Sequence, residues 1–249
     1  MQELGLLFEE KMEEFYSEEL KNDEDNDAGD ESDEEELSIE DQVKNELTKL
    51  KESNKTVITY SNGEAKRKKE PLQFIELNCE CVIFCKTRKP IVPEKFVSKI
   101  IEDLADPNNM MKRTRYIQKL TPITYSCNAT MEQFILLLKR VLAPHFHEGE
   151  NANKKIKFAV NTTRRNFNTI ERMDIITHVV KQVIQDDKYQ HEVDLKNFDK
   201  MILVECFKNN MGVAVVDGSY ATRYKKFNVQ QIFEAKFKNE AEKNDEKKD

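Results

Sequence analysis

Residues 157–184 read KFAVNTTRRNFNTIERMDIITHVVKQVI, and residues 201–218 read MILVECFKNNMGVAVVDG. In the first stretch Phe158 and Val160 alternate with Lys157, Ala159 and Asn161, the pattern of a strand with one buried face. Asn168 stands three residues before Glu171, a capping-box spacing that predicts a helix start there. Ile175, Ile176, Val179, Val180, Val183 and Ile184 then recur at helical spacing and form one apolar stripe. In the second stretch Met201, Leu203 and Phe207 alternate with Ile202, Val204 and Cys206, so both faces are apolar, as a central strand requires. Met211–Val216 is the last strand. The order is strand, helix, strand, strand. Arg164, Arg165 and Asn166 fall at the first crossover, where a helix N-terminus and guanidinium groups together suit a phosphate.

Working outward, Met131–Leu142 is apolar nearly all round through Phe134, Ile135, Leu137, Leu138 and Val141, a buried helix closed by Pro144. Ile117–Cys127 is extended, with Pro122 marking an edge or bulge. Asp106–Asn109 is a loop, and the helix before it buries Phe96, Val97, Ile100, Ile101 and Leu104 after entry through Pro93. Ile75, Leu77, Cys79, Cys81, Ile83 and Cys85 occupy alternate positions, predicting one strand with all six on one face. Met1–Leu20 is an amphipathic helix through Leu4, Leu7, Phe8, Met12 and Phe15, and Leu37–Leu50 a weaker helix. Gly218–Phe233 is basic and aromatic, and Glu234–Asp249 is a charged, fraying tail. Strands alternating with helices give an α/β (α+β) class.

Charge is distributed unevenly. Up to Asp41 there are 19 acidic and 2 basic residues, leaving 28 acidic and 38 basic in the rest, so the overall −7 conceals a basic body. Asn22–Asp41 holds twelve Asp or Glu and no Lys or Arg, a composition too polar to offset the entropy of ordering; this predicts a disordered acidic insert. A body with net charge near +10 attracts polyanions. Five cysteines without framework spacing suit a reducing compartment rather than secretion, and no signal peptide or membrane span is visible. Lys66-Arg67-Lys68-Lys69 reads as a nuclear import signal, a loose RNA contact or a solvated linker.

Six glycines, at positions 5, 29, 63, 149, 212 and 218, cannot form a dinucleotide fingerprint or a Walker A loop. A G-x-S-x-G elbow is missing too, and no trio reads as an acid/base set. Cys79 and Cys81 alternate with apolar residues and fit core packing better than zinc, while His145-x-His147 fits a helix end or an RNA-facing role. The positive signal is basic residues among aromatics, at Lys112 to Tyr116, Lys154 to Lys157, Arg164 to Phe167 and Arg223 to Phe227. Arginine clamps phosphate and aromatics stack on unpaired bases.

The stretches 157–183 and 191–218 resemble the THUMP RNA-binding domain. With CECVIFCKTRKPIVPEKF, KRTRYIQKLTPITYSC and TRRNFNTIERMDII, the chain is similar to the eukaryotic THUMP adaptors of N4-acetylcytidine formation in serine and leucine tRNAs. That resemblance implies a ferredoxin-like N-terminal domain packed on a THUMP domain, gripping the acceptor end of tRNA. The acetyl transfer is then performed by a separate RNA cytidine acetyltransferase with acetyl-CoA and ATP, and this chain carries no cofactor or small-molecule substrate. The implied domains are a ferredoxin-like helix at 1–20, an insert at 21–70, the rest of that domain at 71–105, THUMP at 106–218 and a basic, charged tail at 219–249. Lys112, Arg113, Arg115, Arg164, Arg165 and Asn166 match the family's RNA-facing motifs, and the basic runs add Lys155, Lys157, Arg223, Lys225 and Lys226. Phe198 stands where the family pattern usually has proline. Members carry a further basic segment and a strand before the helix that begins here at Met1, so the ferredoxin-like part is expected to be partial. Two other expectations stay open. One is a THUMP-linked modifying enzyme, and the other is a nuclear assembly factor that uses its acidic arm.

Overall fold

The computed structural model describes residues 2–25, 70–75, 77, 79–109, 114–185 and 188–245. The acidic insert beyond Asp25, the helix expected at Leu37–Leu50, the basic cluster at Lys66–Lys69, and Lys112 with Arg113 lie outside these residues. Contacts divide the chain into two units, Met1–Ser17 with Pro71–Asp249, and Glu18–Glu70. The class is mixed α and β, as the sequence predicts.

Helix α1 (Gln2–Asp25) runs five residues past its expected end at Leu20 and contributes Gln2–Ser17 to the first unit. The expected strand from Ile75 to Cys85 is instead a hairpin, in which β1 (Leu72–Ile75) pairs antiparallel with β2 (Phe84–Thr87). Its connection turns at Glu80 and Cys81, with Cys81 at φ 62°, so neither Cys79 nor Cys81 is a strand residue and Cys81 is exposed. The alternation ran straight through this turn because no Gly or Pro marks it. Turning the chain lets Phe74 meet Phe8 at 6.2 Å. Helix α2 (Pro93–Ala105) starts with Pro at its first position and buries Phe96, Val97, Ile100, Ile101 and Leu104, the five residues its periodicity selects. The Phe96 ring is the hub: Phe8, Tyr16 and Phe15 lie edge-on to it at 5.3, 6.0 and 6.4 Å.

Lys11 is 2% exposed beneath this cluster, with Nζ 2.6 Å from Glu14 and 2.8 Å from Asp103 of α2. Burial alone would lower its pKa, but the two carboxylates outweigh burial and raise it above 10.5. A raised folded value means the pairing contributes fully below about pH 10.5 and is lost as pH rises past the folded pKa. Melting curves of wild type and Lys11→Met are therefore expected to converge at high alkaline pH; a gap that stays constant would remove the ammonium from this role.

The larger sheet has five strands in the order β3 (Tyr125–Asn128), β7 (Asn210–Asp217), β6 (Lys200–Phe207), β4 (Lys157–Arg165) and β5 (Glu192–Val193). β4 is parallel to both β5 and β6, whereas β6–β7 and β7–β3 are antiparallel. β6 is central and buried on both faces, as its two-sided apolar run predicts. Helices α3 (Met131–Leu142) and α4 (Arg172–Ile184) cover one face, their Phe134, Leu138, Ile175, Val179 and Val183 meeting Phe158, Ile202, Val204, Met211 and Val213.

Other boundaries also differ from expectation. β4 continues through Arg165, so the arginines end a strand rather than occupy the crossover loop. α4 is preceded by Glu171 in an extended conformation with no side-chain cap, so Asn168 is not its cap, and Phe167 and Ile170 before it are drawn into the core. Beyond Leu142 the chain continues as a π turn, Ala143–His147, so Pro144, which donates no N–H, does not close the helix at once. The expected fraying tail is helical as far as Asp245, in α5 (Val229–Asp245). Lys236 of this helix is buried and donates to the Asn109 carbonyl at 2.9 Å.

Candidate nucleic-acid interface

Successive residues of a strand face opposite ways, so Arg164 and Arg165 cannot act as one clamp. Arg164 shares the parity of Phe158 and points to the helix-covered side. There its Nη2 donates to the Phe167 carbonyl at 2.9 Å, with the guanidinium 5.7 Å from the Phe167 ring. It is half-buried and closes the loop into α4. Arg165 and Asn166 are exposed, and Asn166 has φ 51°, a left-handed conformation that Asn tolerates. The β6–β7 turn joins them: Lys208 donates its N–H to the Arg165 carbonyl at 3.1 Å and its ammonium to the Leu77 carbonyl at 3.0 Å. At this end of the sheet lies a cleft of about 440 Å³ lined by Asn128, Ala129, Thr130, Thr169 and Asn209. None of these five side chains titrates, so the cleft offers hydrogen bonds but no acid or base.

A second basic region is assembled by a backbone seam. Leu120 N–H donates to Phe227 O at 3.2 Å, Val229 N–H to Gln118 O at 2.8 Å, and Lys119 bridges Asn228. The seam brings Lys119 beside the segment carrying Arg223, Lys225 and Lys226, all exposed. Lys225, Lys226 and Phe227 take φ values of 48, 57 and 58°, a left-handed turn that buries Phe227 and leaves both ammonium groups outside. Arg115 is exposed on the same N-terminal strand of the seam.

The lysines before β4 are different. Lys155 pairs with Glu192 at 2.7 Å, Lys157 with Asp194 at 3.1 Å and Lys154 with Glu150 at 2.6 Å. Asp194 also accepts from the N–H groups of Asn197 and Lys196 at 2.9 Å; these two bonds and then Lys157 bring its pKa down to about 2. Lys155 and Lys157 thus enter any polyanion contact already neutralised. They also sit at the opposite end of β4 from Arg165, a span of about 26 Å at strand rise. The predicted residues therefore separate into Arg165 and Asn166 at one end, and Lys155 and Lys157 at the other, with Arg115, Arg223, Lys225 and Lys226 gathered by the seam.

The aromatic part of the prediction needs correction. Phe167, Tyr220, Tyr224 and Phe227 are buried, so they pack the core and cannot stack on bases. Tyr116 alone among the described aromatics of the four basic runs is exposed, at 75%. Of the histidine pair, His147 is 3.0 Å from the Val183 carbonyl and stacks on Tyr189 at 4.5 Å, a structural rather than RNA-facing role. His145 is half-buried, and burial followed by the nearby Lys200 lowers its pKa. His191, which the sequence did not single out, joins Phe146 O to Ile156 N–H, and burial lowers its pKa. Lys119 and Lys208 were also missed: each is a single lysine at a strand-like edge or turn, and only pairing shows what it adjoins. Among the described residues, no cluster of three or more His, Cys, Asp or Glu is arranged to hold a metal, and no helix is long and apolar enough to cross a membrane.

Residues 128–216 match the THUMP domain family. A Saccharomyces cerevisiae protein named tRNA acetyltransferase TAN1 is 61% identical over 243 residues, which is 97% of this chain and 82% of the yeast one. A Schizosaccharomyces pombe protein described as uncharacterized is 33% identical over 219 residues, 88% of this chain and 68% of its own. The crystal structure of PH1313 from Pyrococcus horikoshii is similar with a TM-score of 0.42 and 18% identity, over 58% of this chain and 42% of that one. The chain belongs to the family of THUMP-domain proteins that includes the yeast tRNA acetyltransferase TAN1.

Proposed function

We propose that the chain is a non-catalytic tRNA-binding adaptor for N4-acetylcytidine formation in the D-arm of serine and leucine tRNAs. It holds tRNA and presents it to a separate RNA cytidine acetyltransferase, which supplies the acetyl-CoA and ATP chemistry in the nucleus, nucleolus or cytoplasm. The observation that carries this reading is 61% identity, over nearly the whole chain, to a relative named for tRNA acetylation. That printed name also favours a second reading, in which the chain itself transfers the acetyl group. Against it stand the six scattered glycines, which build no pyrophosphate cradle, and a cleft without an ionisable lining residue.

An adaptor raises rate by converting an encounter into an effectively intramolecular reaction. Two exposed basic regions at separate places on the surface suit a duplex contacted along its length rather than a small anion held at one point. Crosslinking the full chain to total RNA and identifying the bound species checks the reading. Enrichment of serine and leucine tRNAs is expected, with crosslinks near Arg165 and in the Thr114–Leu120 and Arg223–Val229 segments. Crosslinks to messenger or ribosomal RNA without tRNA enrichment would contradict it.

A further inference from the structure

Arg115 and Tyr116 are displayed in an unusual way. The Glu3 carboxylate of α1 accepts three consecutive backbone N–H groups, from Arg115 at 3.0 Å, Tyr116 at 3.0 Å and Ile117 at 3.2 Å, across more than a hundred residues of sequence. Burial would raise the Glu3 pKa, but these N–H bonds outweigh it and hold the carboxyl below 4.5, so the acceptor stays charged at neutral pH. Thr114 before the pair is buried and Ile117 after it is half-buried, so the backbone is fixed on both sides. The Tyr116 ring nevertheless projects into solvent with the Arg115 guanidinium 5.4 Å from its centroid. No packing within the described chain accounts for a large aromatic group on so firmly held a backbone.

The surroundings select the ligand. From Thr114 to Leu120 the chain carries Arg115 and Lys119 and no acid. Lys225 and Lys226 stand at the other end of the seam. Among the described residues Arg115, Lys119, Lys225 and Lys226 form no ion pair, unlike the lysines before β4. Glu3 keeps its negative charge while it accepts these N–H bonds, so it offsets one of the cations and leaves the others in excess. An exposed ring with a cation over it, in a basic surround, is the chemistry that binds an unpaired nucleotide, whose base stacks while its phosphate meets the cations. A preset backbone reduces the ordering cost of such stacking.

We propose that Tyr116 is a stacking platform for an unpaired base of RNA, with Arg115 as its phosphate partner and Glu3 as the residue that positions both. This deepens the RNA-binding reading above and rests on it. The full chain is titrated into a labelled short RNA duplex carrying a single-stranded tail and into the same duplex made blunt-ended, with anisotropy as readout. Wild type is expected to bind the tailed duplex about tenfold more tightly, the scale of one stacked base. Tyr116→Ala abolishes this preference while blunt-duplex affinity stays, and Tyr116→Phe retains it. Glu3→Ala narrows the preference with circular dichroism unchanged, a pattern general loss of structure does not give.

Equal wild-type binding to both duplexes overturns the stacking platform alone and leaves the RNA-binding reading standing. A Tyr116→Ala loss that is the same for both duplexes likewise overturns it. An undiminished preference in Glu3→Ala removes Glu3 from the proposal. Binding to neither duplex removes the wider reading and this inference together.

Discussion

An Arg165→Glu variant is expected to keep the wild-type melting temperature and to lose RNA affinity by on the order of tenfold to a hundredfold at low salt, the effect shrinking as salt rises. Arg165 is exposed at the end of β4, and reversing its charge breaks no contact within the described residues while placing an anion where phosphate would approach. Arg164→Ala is expected to behave in the opposite way. It removes the charged donor to the Phe167 carbonyl and the cover over its ring, and with them the tie that closes the loop into α4. Losing such a bond costs about 2 kcal/mol, or roughly 4–8 °C of melting temperature for a chain this size. Thermal melting and anisotropy on both variants separate the roles. Equal affinity losses at unchanged stability would return the two arginines to a single clamp.

Gly218→Ala is expected to cost about 3 kcal/mol and to lower the melting temperature by roughly 6–12 °C. A Cβ there would land inside van der Waals contact of the Phe198 carbonyl oxygen and 3.3 Å from the Asp199 carbonyl oxygen. Both obstacles are backbone, so no side chain can swing aside. Gly218 N–H also donates to Asp199 O at 2.8 Å, just beyond the Lys200–Asp217 pair that ends the β6–β7 ladder. Moving the strand apart would strip that bond and disturb the turn that launches the basic Ser219–Phe227 segment. Melting by circular dichroism checks it; a shift under about 2 °C would mean the turn relaxes freely.

The sequence showed most where burial is two-sided or strictly periodic. β6, β7, α2 and the interior of α4 come directly from patterns that only one element satisfies. It misled where a pattern crosses an unmarked turn, as at Glu80–Cys81, and where a local cap competes with tertiary packing, as when Phe167 and Ile170 are drawn into the core and Asn168 does not cap α4. The site was legible as charge but not as geometry. Four basic and aromatic runs look alike in sequence. In the fold Lys155 and Lys157 are tied to carboxylates, Arg164 is turned inward, and Phe167, Tyr220, Tyr224 and Phe227 are core. What sets Tyr116 apart is Glu3, a residue more than a hundred positions away, and no local pattern can show such a partner.

The central claim, that this chain delivers tRNA rather than acetylates it, meets its most direct test in a reconstituted reaction with serine tRNA, acetyl-CoA and ATP. With the chain as sole protein no N4-acetylcytidine is expected. With the RNA cytidine acetyltransferase present, adding the wild-type chain is expected to raise product far above the enzyme alone, and the Arg165→Glu variant to fall well short of that. Turnover by the isolated chain, or a product yield from the enzyme that the chain leaves unchanged, would contradict the account.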